Sequence, residues 1–186
     1  MSILTAPWRL GAALALIAAG ALRADVSGCA CDPRKPESMA ARECALCQEA
    51  DKQPPGTEIF FLKDNNPRKP NRWLVLPRAH AKEGHDVQDM TAGERTALWK
   101  AAIQKAKELW GDEWGLAYNG PLVRTQCHAH IHIGKLLPDA EDGNFVAVSG
   151  PEEIRIPAGE GVWVHPVGKK LHAHVCEEIC EIVLWR

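Results

Sequence analysis

Positive charge is not in surplus: 22 Lys and Arg stand against 24 Asp and Glu. A field of that sign does not attract a nucleic acid, so none is expected as a partner, and a phosphate site would have to gather its positive groups locally. The chain also lacks an internal repeat and a low-complexity tract, and its 186 residues, 46 % hydrophobic and 25 % charged, read as one ordinary globular domain. Nor does any apolar run reach the roughly 20 residues that cross a bilayer comfortably. The longest, Leu10 to Leu22, has 13 residues, follows Arg9 and ends close to the small Ala24.

Residues 1–24 therefore read as a secretory leader rather than as part of the fold. A retained membrane anchor is an alternative, and so is lipidation at Cys29, because Val26-Ser27-Gly28-Cys29 is similar to a bacterial lipobox; Arg23 and Asp25 interrupt that pattern. The expectation is an exported protein, periplasmic or extracellular. Without Arg9 and Arg23 the remainder has 20 basic against 24 acidic residues, a formal charge of −4. Seven cysteines in an oxidising compartment favour disulfides, and the odd number leaves at least one thiol with another fate.

From Asp25 to Gly56 the sequence is loop-like, with Cys29, Cys31, Cys44, Cys47 and several prolines. Ile59 to Leu62 and Trp73 to Leu76 flank a Pro-containing turn and read as a hairpin. Thr91 and Glu94 form a capping box, followed by Leu98, Ala102, Ala106 and Leu109 at helical spacing up to Gly111. Gly115 to Tyr118 and His128 to Ile133 read as strands, and Phe145 to Trp185 holds further short ones. The fold class expected is α+β, an antiparallel sheet with one long packed helix and a short β-rich C-terminal extension. The expected boundaries are 25–138 for the main domain, which includes the Cys44–Cys47 segment, and 139–186 for an extension packed on it.

His128, His130 and His132 alternate with Ala129, Ile131 and Ile133. In a strand, that period of two puts three imidazoles on one face and three apolar side chains on the other. A metal site and a nucleophilic site are the two chemistries such a face offers. The motif and its surroundings resemble the histidine-triad (HIT) superfamily, whose signature is His-x-His-x-His followed by apolar residues. Asp64-Asn65-Asn66-Pro67, Leu74-Val75-Leu76-Pro77 and His80 are similar to its upstream segments, and Asn119 falls where the family has an Asn. The likeness spans about Cys44 to Pro138. Arg124-Thr125-Gln126 ahead of the triad is most similar to the CDP-diacylglycerol diphosphatase branch.

The resemblance implies a HIT-like fold and a hydrolase in which His130 attacks the α-phosphorus of a nucleotide phosphoanhydride, forming a covalent nucleotidyl-histidine that water resolves. A neutral imidazole is both nucleophile and leaving group near pH 7, so this needs no catalytic metal. His132 would bond phosphate oxygens, with Thr125 and Gln126 as further donors and Arg124 offsetting charge. Asp64 would hold the ribose, beside Asn119, and Ile59, Phe61 and Leu76 would wall the base. CDP-diacylglycerol is the favoured substrate, which brings a membrane surface into play and gives Trp73, Trp163 and Trp185 a role in the apolar approach. Dinucleoside polyphosphates or nucleotidyl transfer are the alternatives, and a homodimer is common among members.

Cys44 and Cys47 have the spacing of two zinc ligands. Zinc-containing members of the superfamily place paired cysteines with the His after the Leu-Val-x-Pro segment and the first triad His, so the resemblance implies a structural zinc on Cys44, Cys47, His80 and His128. The competing expectation is a Cys44–Cys47 disulfide. His172, His174, Cys176 and Cys180 form a second group, read either as another metal site or as disulfides to Cys29 and Cys31, and Cys127 reads as a buried neighbour. Two other classes of function stay open: a metal-binding protein, and a metallohydrolase with the triad as catalytic zinc ligands.

Overall fold

A computed structural model describes residues 24–80 and 86–186. The expected leader, apart from Ala24, lies outside them. Among the described residues no helix is long and apolar enough to cross a membrane.

The chain is α+β. Seven strands form one antiparallel sheet: β1 (Ile59–Lys63), β2 (Trp73–Pro77), β3 (Trp114–Tyr118), β4 (Ile131–Lys135), β5 (Val146–Val148), β6 (Gly161–Val167) and β7 (Lys170–Cys176), in the spatial order β1-β2-β4-β3-β6-β7-β5. The last three strands do not sit on top of a completed domain. β6 pairs with β3 through Leu116↔Val164, Ala117↔Trp163 and Tyr118↔Val162, so the C-terminal third continues the same sheet.

Before the sheet come α1 (Pro36–Met39), a 3-10 turn (Arg42–Cys44) and α2 (Ala45–Asp51). The stretch expected to be loop therefore contains three helical pieces, too short to show a period in sequence. Between β2 and β3 runs α3 (Ala92–Trp110), capped as anticipated: the Thr91 side chain accepts from the Glu94 N–H, and the Glu94 carboxylate accepts from Thr91 N–H. Leu98, Trp99, Ala102 and Ala106 of α3 are buried against Val75, Leu116, Ile131, Ile133, Val162 and Val164. That face of the sheet is the main core.

Register assigns the other face. Paired residues share a side of an antiparallel sheet, so Leu74↔His132↔Ala117↔Trp163↔His174 forms one row on the side away from α3. Ile59 and Phe61 pair with Pro77 and Val75 and share the α3 side, so they do not wall a base on the triad's side. Leu76 does lie on the triad's side, but it is fully buried with Ala50, Phe60 and Leu74.

This second face is covered by the C-terminus. Gly115 and Gly134 are cross-strand partners, and a Cβ at Gly134 would stand 3.1 Å from Arg72 Cδ and 3.2 Å from Leu184 Cβ. The two glycines thus leave a notch that receives Leu184 and the Arg72 stem. Nearby, Cys180 Sγ occupies the space a Gly161 side chain would take. The 3-10 turn Cys180–Val183 is pressed onto the sheet at that point.

Candidate active site and metal centre

β4 begins at Ile131, three residues later than the alternation suggested. His128 and His130 leave the ladder because their side chains take backbone acceptors that a strand would use. His128 Nε2 donates to Pro77 O at 2.7 Å, and His130 Nδ1 donates to His128 O at 2.7 Å. His132 remains in the strand, opposite Leu74 and Ala117. The rings of His130 and His132 are still neighbours, with centroids 4.9 Å apart, and both residues are buried.

These bonds define tautomers. A carbonyl only accepts, so His130 carries its proton on Nδ1 and, when neutral, presents an unprotonated Nε2. Burial lowers the proton affinity of His130 well below the ordinary range, and His132 and Arg124 add to the effect. A neutral imidazole is the nucleophilic form.

Around His132 a carboxylate stands where the sequence suggested no group. Glu181 Oε2 lies 3.4 Å from His132 Nδ1, 2.7 Å from Lys69 Nζ and 2.9 Å from Arg72 Nη1, while Asn119 Nδ2 reaches Oε1 at 3.5 Å. The Asn119 side-chain oxygen accepts from the Glu181 N–H at 3.2 Å. Two cations, an imidazole and an amide enclosing an anion form a phosphate-like recognition set. Lys69, Arg72 and Glu181 carry no local motif, and sequence reasoning missed all three.

Burial alone would raise Glu181, but His132, Lys69 and Arg72 outweigh it and hold its carboxyl at about 2, against 4.5 ordinarily. Burial also pushes His132 from 6.5 down to about 4, against the opposing pull of Glu181. From pH 6.5 to about 4 the unfolded chain therefore takes up a proton at His132 that the folded chain refuses. From about 4.5 to 2 the same holds at Glu181. In both windows acid favours unfolding, so stability is expected to fall steadily below pH 6.5. Urea midpoints across pH would test this: His132→Asn should make the upper part shallower, His130 keeping the rest of its slope, and Glu181→Gln should do the same to the lower, and a profile level down to pH 4 would contradict the assignment.

The other expected site residues have different partners. Arg124 is buried, donating to Tyr118 Oη at 3.0 Å, to Cys127 O at 3.3 Å and, in an ion pair, to Asp86. Its charge is already offset by Asp86, so it braces the loop ahead of the triad. Gln126 spans to the N-terminal segment, donating to Arg42 O at 3.1 Å and accepting from Leu46 N–H at 3.2 Å. Thr125 is exposed and, with Arg124 and Cys127, lines a cavity of about 680 Å³ against Ala24 to Cys29. Asp64 caps its own turn by accepting from Asn66 N–H at 2.9 Å, yet lies close enough to His132 to act on its charge.

The cysteines redistribute the expected zinc set. Cys44 is bonded to Cys31, Cys29 to Cys127 and Cys176 to Cys180, leaving Cys47 as the free thiol among the described residues. Cys44 is therefore neither a ligand nor the partner of Cys47. It stands at the N-cap of α2, buried in a cluster with Cys31, Met39, Cys47 and Cys127, and within that cluster its sulfur is bonded to Cys31. The bond to Cys127 also uses the Cys29 sulfur that a lipid thioether would need, and Cys176 and Cys180 bond each other rather than Cys29 and Cys31.

Cys47, His80 and His128 do converge, with donor atoms within 4.8 Å of one another and the two rings 4.7 Å apart. The supports match those of metal-ligating histidines, whose second nitrogen is oriented by an oxygen: His128 Nε2 by Pro77 O and His80 Nε2 by Asp51 Oδ1 at 3.3 Å. The residues fit a zinc at three corners of a tetrahedron. Burial, then Asp51, pushes the Cys47 thiol up to about 11, so a bound cation would be needed to hold it as thiolate.

No family model matches the chain, and no curated protein matches it.

Proposed function

We propose that the protein is a HIT-type hydrolase of nucleotide phosphoanhydrides, with His130 as nucleophile. The observation that carries this reading is the 2.7 Å bond from His130 Nδ1 to His128 O, which turns an unprotonated Nε2 away from the backbone and beside His132. Nε2 attacks the α-phosphorus, the bond from phosphorus to the bridging oxygen breaks, and the distal phosphate leaves. Water then cleaves the phosphorus–nitrogen bond and frees the nucleotide. Splitting one displacement into two is what covalent catalysis contributes. Lys69, Arg72, Asn119 and His132 bind the phosphate oxygens, in the position Glu181 holds.

CDP-diacylglycerol is the proposed substrate, giving CMP and phosphatidate. Support comes from the apolar side chains flanking Glu181: Ile179, Ile182 and Trp185 are exposed beside the charged group. The glycerol end of the lipid rests there in this reading, while its diphosphate meets the cations. Trp163 cannot contribute, since it is buried against His174. A zinc on Cys47, His80 and His128 would fix the segment that presents His130 and take no part in the chemistry.

Quenching the protein during turnover and measuring its mass tests the proposal. Incubation with CDP-diacylglycerol should add one cytidylyl group to His130, and a dinucleoside polyphosphate in parallel identifies the alternative substrate class. Brief chelation should leave the initial rate nearly unchanged. Prompt, zinc-reversible loss would favour the metallohydrolase instead, a reading the geometry disfavours: the triad imidazoles do not converge, and His128 joins Cys47 and His80.

A further inference from the structure

We propose that Glu141, His165, His172 and His174 bind one divalent first-row transition ion, at a second centre distinct from Cys47, His80 and His128. Two of these residues, His165 and Glu141, have no motif in sequence. The fold brings them together. β6 and β7 form a hairpin in which His165 pairs with His172 and Trp163 with His174, so the three imidazoles share one face. Glu141 enters from the segment between β4 and β5.

The donor atoms converge on one point. Glu141 Oε2 lies 2.6 Å from His165 Nε2 and 3.0 Å from His172 Nδ1, and Oε1 lies 3.3 Å from His174 Nε2. His165 Nε2 and His174 Nε2 are 3.4 Å apart. Ligands at the usual zinc–nitrogen distance on a tetrahedron are separated by about 3.3 Å, so this pair already has the spacing an ion would impose.

The surroundings hold the rings in place. His174 presents its other nitrogen, Nδ1, to Asp142 Oδ1 at 3.2 Å, the outer-shell carboxylate that a metal-bound imidazole usually has. Trp163 stacks on His174 with centroids 3.6 Å apart, and Phe145 stacks on His172 at the same distance. His165 and His174 are buried, and a carboxylate facing three imidazoles offers four ligands without a thiolate. Cys176 shares the face but is bonded to Cys180. Three imidazoles and one carboxylate suit zinc or ferrous iron rather than a soft cuprous ion.

The ion is structural. His174 and His132 belong to one row of the sheet but stand three strands apart, about 15 Å. Four protein ligands close the coordination sphere, and what they join is the 137–145 segment to the β6–β7 hairpin. The consequence is a rigid edge next to the strand that borders the triad.

Cobalt(II) alone, titrated into the metal-stripped full chain, tests the proposal because it reports ligand type. A centre of three imidazoles and a carboxylate gives visible ligand-field bands without thiolate charge transfer, whereas the Cys47 centre gives both. The Cys47→Ser protein is expected to keep one equivalent of cobalt with no thiolate band. Adding His165→Ala to that variant should abolish it, and adding Glu141→Gln, at a partly exposed side chain, should weaken binding by at least about tenfold. Circular dichroism confirms that each variant is folded. No cobalt bound to folded Cys47→Ser protein, or binding indifferent to both second substitutions, would overturn the proposal.

Discussion

Replacing His130 by Ala is expected to lower CMP release from CDP-diacylglycerol by at least about 10³-fold and to eliminate the nucleotidyl adduct. The attacking atom is lost outright, and the neighbouring imidazoles have other roles: His132 is proposed to bind the phosphate oxygens, and His128 is turned to Pro77 O and Cys47. The folded state should tolerate the change. His130 contributes one hydrogen bond, to His128 O, whose loss with the ring costs on the order of 1–3 kcal/mol. A variant that keeps both its melting transition and its turnover would remove the nucleophile from His130.

The second large effect concerns stability. Arg72 is 1 % exposed, and its guanidinium donates to Trp185 O at 2.6 Å, Glu181 O at 2.9 Å, Leu184 O and the Glu181 carboxylate at 2.9 Å. One side chain just ahead of β2 therefore satisfies three carbonyls of the C-terminal segment and the buried anion. Arg72→Met should cost about 3–5 kcal/mol, because the acceptors stay buried while the donor is gone. For a chain of this size that is a fall of roughly 10 °C or more in Tm. Arg72→Lys should recover only part, since an ammonium cannot span the same fork of acceptors. A Tm within a degree or two of the wild type would mean that the terminal segment is held by other contacts.

The same seating bears on activity. The Glu181 carboxylate sits among the cations proposed for phosphate, so a bound nucleotide has to displace it. The acid sensitivity expected of His132 and Glu181 reports on that arrangement without substrate. The cobalt experiment reports on the opposite end of the same sheet face.

Local patterns were legible in the sequence. The capping box and the period of α3, the hairpin of β1 and β2, and the alternation that puts His132 opposite Ile131 and Ile133 are all short-range, because helix and strand geometry repeat within a few residues. The pairing of Cys47 with His80 and His128 followed from motif order, and the structure brings those three together. The partner of Cys44 did not follow. Spacing of two residues between cysteines is equally compatible with an ion and with separate partners, and the choice of Cys31 depends on how the segment from Cys29 to Cys44 folds back.

What the sequence alone determined is α3 with its cap, the β1–β2 hairpin and the place of His132 in its strand. Only tertiary structure decided which charged groups meet. Arg72 finds Glu181 109 residues away, and Glu141 finds His172 and His174 31 and 33 residues on. A charge in a low-dielectric interior needs a partner, but nothing in its own neighbourhood in the chain names that partner. Sheet order and register do so, by setting which strands lie side by side and which side chains share a face.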